Sequence, residues 1–514
     1  MSMNTAGRIK QGFYFDSVTL MRIGRELSGS PGVAEASVVM ATEANKSILD
    51  MSGLLLPEFR KCGDQDLLVA VKARNANAAE SALAKAEELL ARRKKPAAAG
   101  GSAAPAPRDI AAAAAALPGA NLALISIAGR YAAREARKAL EQGLHVMLFS
   151  DNVPIEDEAA LKKTAHRKGL LVMGPDCGTA ILNGVPLAFA NVVPRGPIGV
   201  VGASGTGTQE VTCIIANEGS GISQAIGTGG RDIKDKIGGI TFLDGMRALA
   251  ADPATRVLLL IAKPPQPAVL KKVQALIRKI KKPVVALFLG QGGTPATLEQ
   301  AAHLAVARAA GQDPQQALAR LARRDGILAA EARAIVARRK KPRGRYLRGL
   351  FSGGTFCAEA QVILDGVLRH LTSNAPLGDT QPLKSAWKPE KNALVDLGED
   401  EFTVGRAHPM IDYTLRNQMI LDEAARPETA VILLDVVLGH GAHPDPAAEL
   451  APVIRQAAKK VFVVAGVTGT IGDPQNRAQV VEALRAAGAH VQLTNAVACK
   501  LAGLLAAEVI RQNR

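Results

Sequence analysis

The chain has 514 residues, of which 63 are Lys or Arg and 47 are Asp or Glu, for a formal net charge of +16. No apolar run approaches the roughly 20 residues needed to span a bilayer as a helix, which excludes a helical membrane protein. The basic runs Arg92-Arg93-Lys94-Lys95, Lys271 to Lys282 and Arg338 to Arg348 carry no interleaved aromatic side chains, so they read as linkers and solvated helix faces rather than a nucleic-acid platform. Met1 to Lys10 lacks the apolar core of a signal peptide, and the five dispersed cysteines form no CxxC pair. A cytoplasmic protein with no metal and no disulfide framework is expected.

Three or four domains suit this length. Residues 1–95 read as a small α+β unit, with strands over Tyr14–Leu20, Ala36–Ala41 and Leu67–Lys72 and helices over Met21–Leu27 and Ala76–Arg93. Residues 96–116 are an Ala/Pro/Gly-rich linker, with a helix predicted over Ile110–Leu117. From Asn121 strands and helices alternate: strand Leu122–Ile127, helix Ala132–Gln142, strand Val146–Phe149, helix Ile155–Lys168, strand Leu170–Met173. Such alternation predicts a parallel sheet covered by helices, with ligands at the carboxyl ends of its strands. Ala128-Gly129-Arg130, Ser150-Asp151-Asn152 and Gly174-Pro175-Asp176-Cys177 then share one rim of a Rossmann-like module over residues 117–195. A second α/β module, residues 196–312, has strands Ile198–Val201, Ser223–Ile226, Val257–Ile261 and Val284–Leu289. A basic helical connector, residues 313–345, leads to a third module over residues 346–514, with strands Leu347–Phe351, Ala393–Asp396, Val431–Asp435, Val461–Ala465 and His490–Leu493.

Two turns carry the chemistry. The strand ending at Val201 runs into Gly202-Ala203-Ser204-Gly205-Thr206-Gly207-Thr208-Gln209-Glu210, and the strand ending at Phe351 into Ser352-Gly353-Gly354-Thr355. A small-residue turn at a helix N-terminus offers unpaired N–H groups and the positive end of the helix dipole, which suits phosphate. Ser204, Gly205, Thr206, Thr208, Ser352, Gly353, Gly354 and Thr355 are therefore the expected phosphate-binding residues, and structural helix capping is the competing account. Glu210, one turn in, either faces the pocket or steadies the helix dipole. His440 and His443, in the loop Gly439-His440-Gly441-Ala442-His443-Pro444-Asp445, are candidates for acid–base work at a strand end. Cys177 reads as buried packing.

The same residues resemble a known family. Gly174-Pro175-Asp176-Cys177 and Ser204-Gly205-Thr206 with Thr208 and Glu210 are similar to turns of succinyl-CoA synthetase α subunits, and Gly227-Thr228-Gly229-Gly230-Arg231-Asp232 to the glycine loop that follows there. Residues 346–514 are similar to the C-terminal domain of the β subunit. In this order, after a unit beginning Tyr14-Phe15-Asp16-Ser17, the chain resembles the FdrA family of acyl-CoA synthetase-like proteins. The resemblance implies α/β architecture: a Rossmann-like CoA-binding-type module, then two flavodoxin-like ligase-type modules. It implies CoA-type contacts at Gly174, Pro175, Asp176 and Cys177, and catalytic assistance from Glu210. Two departures stand out. The loop expected to carry a phosphohistidine reads Gly290-Gln291-Gly292-Gly293-Thr294, and the nearest histidine, His303, falls in the predicted helix Leu298–Ala309. The TGSQG-type CoA turn and an ATP-grasp domain are also missing. The resemblance thus implies handling of an acyl phosphate or acyl-CoA and a carboxylate substrate together with other subunits of a hetero-oligomer. Its alternatives are a subunit of oxamate carbamoyltransferase in purine catabolism, acting on carbamoyl phosphate, or a non-catalytic scaffold.

Overall fold

The computed structural model describes residues 3–13, 15, 17–94, 107–339, 343–403 and 406–513. They form two compact units: Met1–Pro107 with Asp400–His408, and Arg108–Glu399 with Pro409–Arg514.

In the first unit, β1 (Asn4–Lys10), β2 (Val33–Met40) and β3 (Leu67–Ala73) make an antiparallel sheet in the order β1-β3-β2. The central strand β3 is buried on both faces. Leu67, Val69 and Val71 pack with α1 (Ser17–Ser28) and α3 (Ala76–Lys94), while Leu68 and Ala70 pack with Phe59 and with Leu49 of α2 (Glu43–Met51). The strand expected over Tyr14–Leu20 is corrected: Tyr14 and Asp16 lie outside the described residues, and Ser17 to Leu20 form the first turn of α1. Leu20, Ile23 and Leu27 set a helical stripe that runs through the boundary.

The second unit contains three sheets. After α4 (Ile110–Ala116), whose first turn is capped by Asp109 accepting from Ala112 N at 2.8 Å, come β4 (Leu122–Ile125), α5 (Gly129–Glu141), β5 (His145–Leu148), α6 (Ile155–Arg167) and β6 (Val172–Met173). The three strands are parallel in the order β4-β5-β6. The expected rim exists: Ile127 N donates to Ser150 Oγ at 3.0 Å, Asp176 N to Ser150 O at 3.0 Å, and Cys177 N to Leu148 O at 3.1 Å.

The hairpin β7 (Thr179–Leu182) and β8 (Val185–Ala188) leaves this module and joins the next sheet. That sheet adds β9 (Arg195–Gly202), α7 (Gly205–Asn217), β10 (Ile222–Gly227), α8 (Ile240–Ala251), β11 (Val257–Ala262), α9 (Pro267–Ile277), β12 (Val284–Phe288) and α10 (Leu298–Ala309), in strand order β12-β11-β9-β10-β7-β8. The long helix α11 (Pro314–Ala337) follows.

The last sheet holds β13 (Tyr346–Phe351), α12 (Gly354–Leu364), β14 (Leu371–Ser373), β15 (Gln381–Pro382) and β16 (Asn392–Asp396). After α13 (Asp400–Thr403), which belongs to the first unit, come α14 (Thr414–Ala425), β17 (Thr429–Val437), α15 (Pro446–Ala457), β18 (Phe462–Thr468), α16 (Arg477–Ala486), β19 (Ala489–Gln492) and α17 (Asn495–Gln512). Its order is β15-β14-β16-β13-β17-β18-β19, all parallel.

Both larger sheets are α/β with a flavodoxin-like order around their first parallel strand, β9 or β13. β9 stands between β10 and β11, and β13 between β16 and β17. That reversal opens a crevice at the strand's carboxyl end. One apolar core joins the two modules: Val200, Ile261 and Leu298 of the first cluster with Phe351, Phe356, Val464 and Leu505 of the second.

Candidate functional site

The two crevices face each other. Ser204 caps α7 from an extended conformation (φ −156°, ψ 124°), its Oγ accepting from Gly207 N at 3.0 Å. The first-turn N–H groups of Gly205 and Thr206 have no intrahelical acceptor. Helix α12 starts without a side-chain cap, since its N-cap is Gly353. Ser204 Oγ and Thr355 Oγ1 are hydrogen-bonded across the junction. The approach is close enough to demand glycine on both sides: a Cβ on Gly207 would stand 3.0 Å from Thr355 Cγ2, and one on Gly353 2.8 Å from Thr206 Cγ2. The positive ends of two helix dipoles therefore converge on one spot. Ser204, Gly205, Gly354 and Lys263 are the partly exposed residues around it. Lys263 follows β11, and its Nζ is 3.7 Å from where a Cβ on Gly354 would lie. Asp396, the last residue of β16, reaches the same point, with Oδ2 at 2.6 Å.

The remaining sequence-predicted residues are placed as follows. Thr208 is fully buried and gives its hydroxyl to Ser204 O at 2.7 Å. Ser352 spends both donors on Asp435: its N–H on Oδ1 and its hydroxyl on Oδ2, each at 2.8 Å. It therefore steadies the turn and has no donor left for a ligand. Asp435 is held in turn by Arg416, which donates to Oδ1 at 2.9 Å and stacks on Tyr413 with its Cζ 4.6 Å from the ring centroid. His443 stacks on the other neighbour of this chain of contacts, Tyr413, at 5.2 Å. Its Nδ1 accepts from Asp445 N at 3.0 Å, which leaves the proton of the neutral ring on Nε2. His443 is buried, whereas His440 is exposed and donates its N–H to Ala190 O at 2.8 Å. Gln475 clamps this loop through Gly439 O and His443 O. Gly174, Pro175 and Asp176 stand on the rim of the first sheet. The Cys177 thiol is buried against Thr179 O and Gly227 O, and burial pushes it up to about 12, so it is packed and unreactive.

Glu210 is 1% exposed and both its oxygens are taken, Oε2 by Thr468 Oγ1 at 2.5 Å and Oε1 by Asn495 N at 2.8 Å. Glu359 is its counterpart on α12. Its Oε2 accepts from Asn495 Nδ2 at 2.7 Å and its Oε1 from Leu298 N at 2.6 Å. Each glutamate stands six residues beyond its helix's N-cap, and Asn495 ties the two helices together. Burial pushes Glu359 up to about 8 and Glu210 up to about 7, against the opposing hydrogen bonds from Asn495 and Thr468. A carboxyl whose folded pKa is raised binds more protons folded than unfolded. Its stabilising contribution is complete below the ordinary value of 4.5 and is lost as pH rises through about 8. Urea denaturation at pH 5 and 8.5 should therefore show a smaller loss of stability in Glu359→Gln than in the parent, by on the order of 2 kcal/mol.

His303 does lie on α10, but at the wrong end of α7. Its Nδ1 is 3.5 Å from Glu218, the C-cap of α7, roughly 20 Å along the helix from Ser204. Sequence reasoning missed Lys263, Asp396, Asp435 and Arg416. The signal for the first three was a charged residue closing or interrupting a buried apolar strand at its carboxyl end.

Family models match three stretches of the chain, and the CoA-binding one falls on the second module rather than on residues 117–195, where the sequence reading placed it. Residues 350–505 fit the family model described as CoA-ligase, residues 195–290 the CoA binding domain, and residues 3–107 the model described as AllF, heavy metal-associated domain. Uncharacterized protein YahF of Escherichia coli strain K12 is 42% identical over 522 residues, spanning 98% of each chain. The chain belongs to the FdrA family of acyl-CoA synthetase-like proteins. This FdrA-family chain is also 28% identical to succinate–CoA ligase [ADP-forming] subunit alpha 1 of Archaeoglobus fulgidus, over 35% of its own length and 62% of the relative's. The alignment thus spans less than two thirds of that subunit. A solved structure, ATP citrate lyase from Methanothrix soehngenii in complex with citrate and coenzyme A, is similar over 36% of this chain and 31% of that one, at 24% identity and a TM-score of 0.32.

The heavy-metal description of residues 3–107 finds no support in their chemistry. They contain no histidine and one cysteine, Cys62, and among the described residues no three His, Cys, Asp or Glu side chains group as a metal site would. No helix among the described residues is long and apolar enough to cross a membrane.

Proposed function

We propose that this FdrA-family protein binds the phosphoryl group of an acyl phosphate between the N-termini of α7 and α12 and passes the acyl group to a thiol such as CoA. The observation that carries the reading is the convergence of two helix N-termini beside Lys263. Four unpaired N–H groups, from Gly205, Thr206, Gly354 and Thr355, the Ser204 and Thr355 hydroxyls and one ammonium surround a spot suited to a dianion. The nucleophile attacks the carbonyl carbon, the bond to the bridging oxygen breaks, and phosphate departs with the nucleophile's proton. Donors already pointed at the leaving phosphate need no reorganisation as its charge grows. Glu210 and Glu359 act as positioning residues that hold the helices at this separation. Nucleotide would come from a partner subunit.

A second reading, carbamoyl transfer from carbamoyl phosphate to oxamate, is as compatible as the first with His303 lying at the far end of α7. Direct transfer needs a phosphate cradle but no phosphorylated histidine. The two are separated by incubating the chain, with proteins that co-purify with it, with acetyl phosphate plus CoA or with carbamoyl phosphate plus oxamate, and following phosphate release and thioester. Lys263→Met should lower the active reaction by about 10²–10³, the usual cost of one preorganised charge-stabilising group. Release that ignores Lys263→Met would remove the site from this crevice. Thioester formation selects the first reading; release with oxamate and without CoA selects the second.

A further inference from the structure

Asp396 is held more rigidly than a strand-end residue needs to be. Its backbone N–H donates to Asn374 Oδ1 at 2.8 Å, while Asn374 Nδ2 donates to Asp396 O at 2.9 Å. Its Oδ1 accepts from Gly398 N at 2.9 Å. The residue is 2% exposed, and none of these bonds uses Oδ2. That oxygen lies 2.6 Å from where a Cβ on Gly354 would stand, at the first residue of α12, whose first-turn N–H groups have no intrahelical acceptor. A carboxylate there stands beside the place an incoming anion would take.

We infer that Asp396 makes the crevice a proton-coupled oxyanion site, in which a tetrahedral dianion binds when Asp396 is protonated and its Oδ2–H donates to the bound anion. This deepens the acyl-phosphate reading and rests on it. Ionised, the carboxylate repels a second negative charge a few ångströms away; protonated, it adds one donor to the four N–H groups. The groups facing it are known. Lys263 comes from the end of β11, Glu399 from the loop after β16 and Asp435 from β17, and the buried Cys357 thiol of α12 is pushed up by desolvation and stays neutral. Burial, opposed by Lys263 and reinforced by Glu399, pushes Asp396 up to about 7. The switch thus falls within the physiological range, and anion affinity is lost as pH rises through it.

Sulfate is the probe, because it stays a dianion from pH 6 to 9 while phosphate titrates. Calorimetric titration of the full chain with sodium sulfate at pH 6 and 8.5, in two buffers of different ionisation heat, should give binding about 30-fold weaker at pH 8.5, with proton uptake on binding at the higher pH. Asp396→Asn should bind sulfate with an affinity that hardly changes across the range. Glu399→Gln, a milder change, should move the break to lower pH by removing a negative neighbour. Sulfate binding that is lost in Lys263→Met but is flat with pH in the parent would overturn the role of Asp396 and leave the anion site standing. No binding to the parent at pH 6 would overturn the site and this inference together.

Discussion

Lys162→Met is expected to destabilise the second unit by about 3–5 kcal/mol, the range for stranding buried charge. Lys162 is fully buried on α6, and its ammonium is shared by Glu158 Oε1 at 2.9 Å, Asp232 Oδ1 at 2.7 Å and Thr228 O at 2.9 Å. Removing it leaves Glu158 and Asp232 facing each other in a site with no access to water. Asp232 keeps Thr241 N and Phe242 N as donors, and Arg231 Nε stays 2.9 Å from Glu158 Oε2, so the lower half of the range is the expectation. Glu158 and Lys162 sit on a helix of the first parallel sheet, while Thr228 and Asp232 belong to the glycine loop that follows β10. The cluster is therefore the bolt between two modules, and the loss should appear in both. Urea denaturation followed by circular dichroism measures it. A change below about 1 kcal/mol would mean that the cluster rearranges or hydrates at little cost.

Gly207→Val should abolish function while leaving the fold standing. The new Cβ would lie 2.7 Å from Ser204 Oγ, 3.0 Å from Thr355 Cγ2 and 3.2 Å from Ile261 Cγ2, so α7 and α12 must part. Overpacking of this kind costs about 1–3 kcal/mol of stability. Phosphate-dependent activity should fall further, by about 10³ or more, because the N–H groups of both helices are displaced from one ligand at once. Gly353→Val, which meets Thr206 Cγ2 at 2.8 Å, should reproduce the loss from the other side. Steady-state rates beside thermal midpoints make the test. If both variants fold and keep most of the parent's activity, the paired N-termini are structural caps.

Much of this molecule follows from local chemistry. An apolar run closed by a glycine-rich turn is a buried strand meeting a helix whatever surrounds it, so the segments around Val201 and Phe351 were legible as strand, turn and helix before any tertiary contact was known. The same holds for helix α10, whose bounds Leu298 and Ala309 follow from the Thr297 cap and its Ala/Leu content. Tyr14–Leu20 misled because its aromatic and β-branched residues, Tyr14, Phe15, Val18 and Thr19, favour a strand, while the stripe that buries Leu20, Ile23 and Leu27 has a helical period. Strand β1, with one branched aliphatic residue among Asn4–Lys10, exists because β3 supplies its hydrogen bonds, and hairpin β7–β8 joins the second sheet because β10 leaves an edge for it.

The site divides in the same way. That Ser204, Gly205, Gly354 and Thr355 stand at helix N-termini is a property of each short segment. That the two turns meet depends on strand order, which sets β9 and β13 at the reversal points of their sheets, and on an apolar core that seats one module against the other. Lys263 and Asp396 come from strands that neighbour β9 and β13 in space but lie far away in sequence, and Ser352 gives its donors to Asp435 only once β17 lies beside β13. Hydrogen bonding and periodicity act over a few residues and can be read from them. Burial and electrostatic pairing act over whatever the folded chain brings within a few ångströms, and these decided which of the candidate groups are left with free donors.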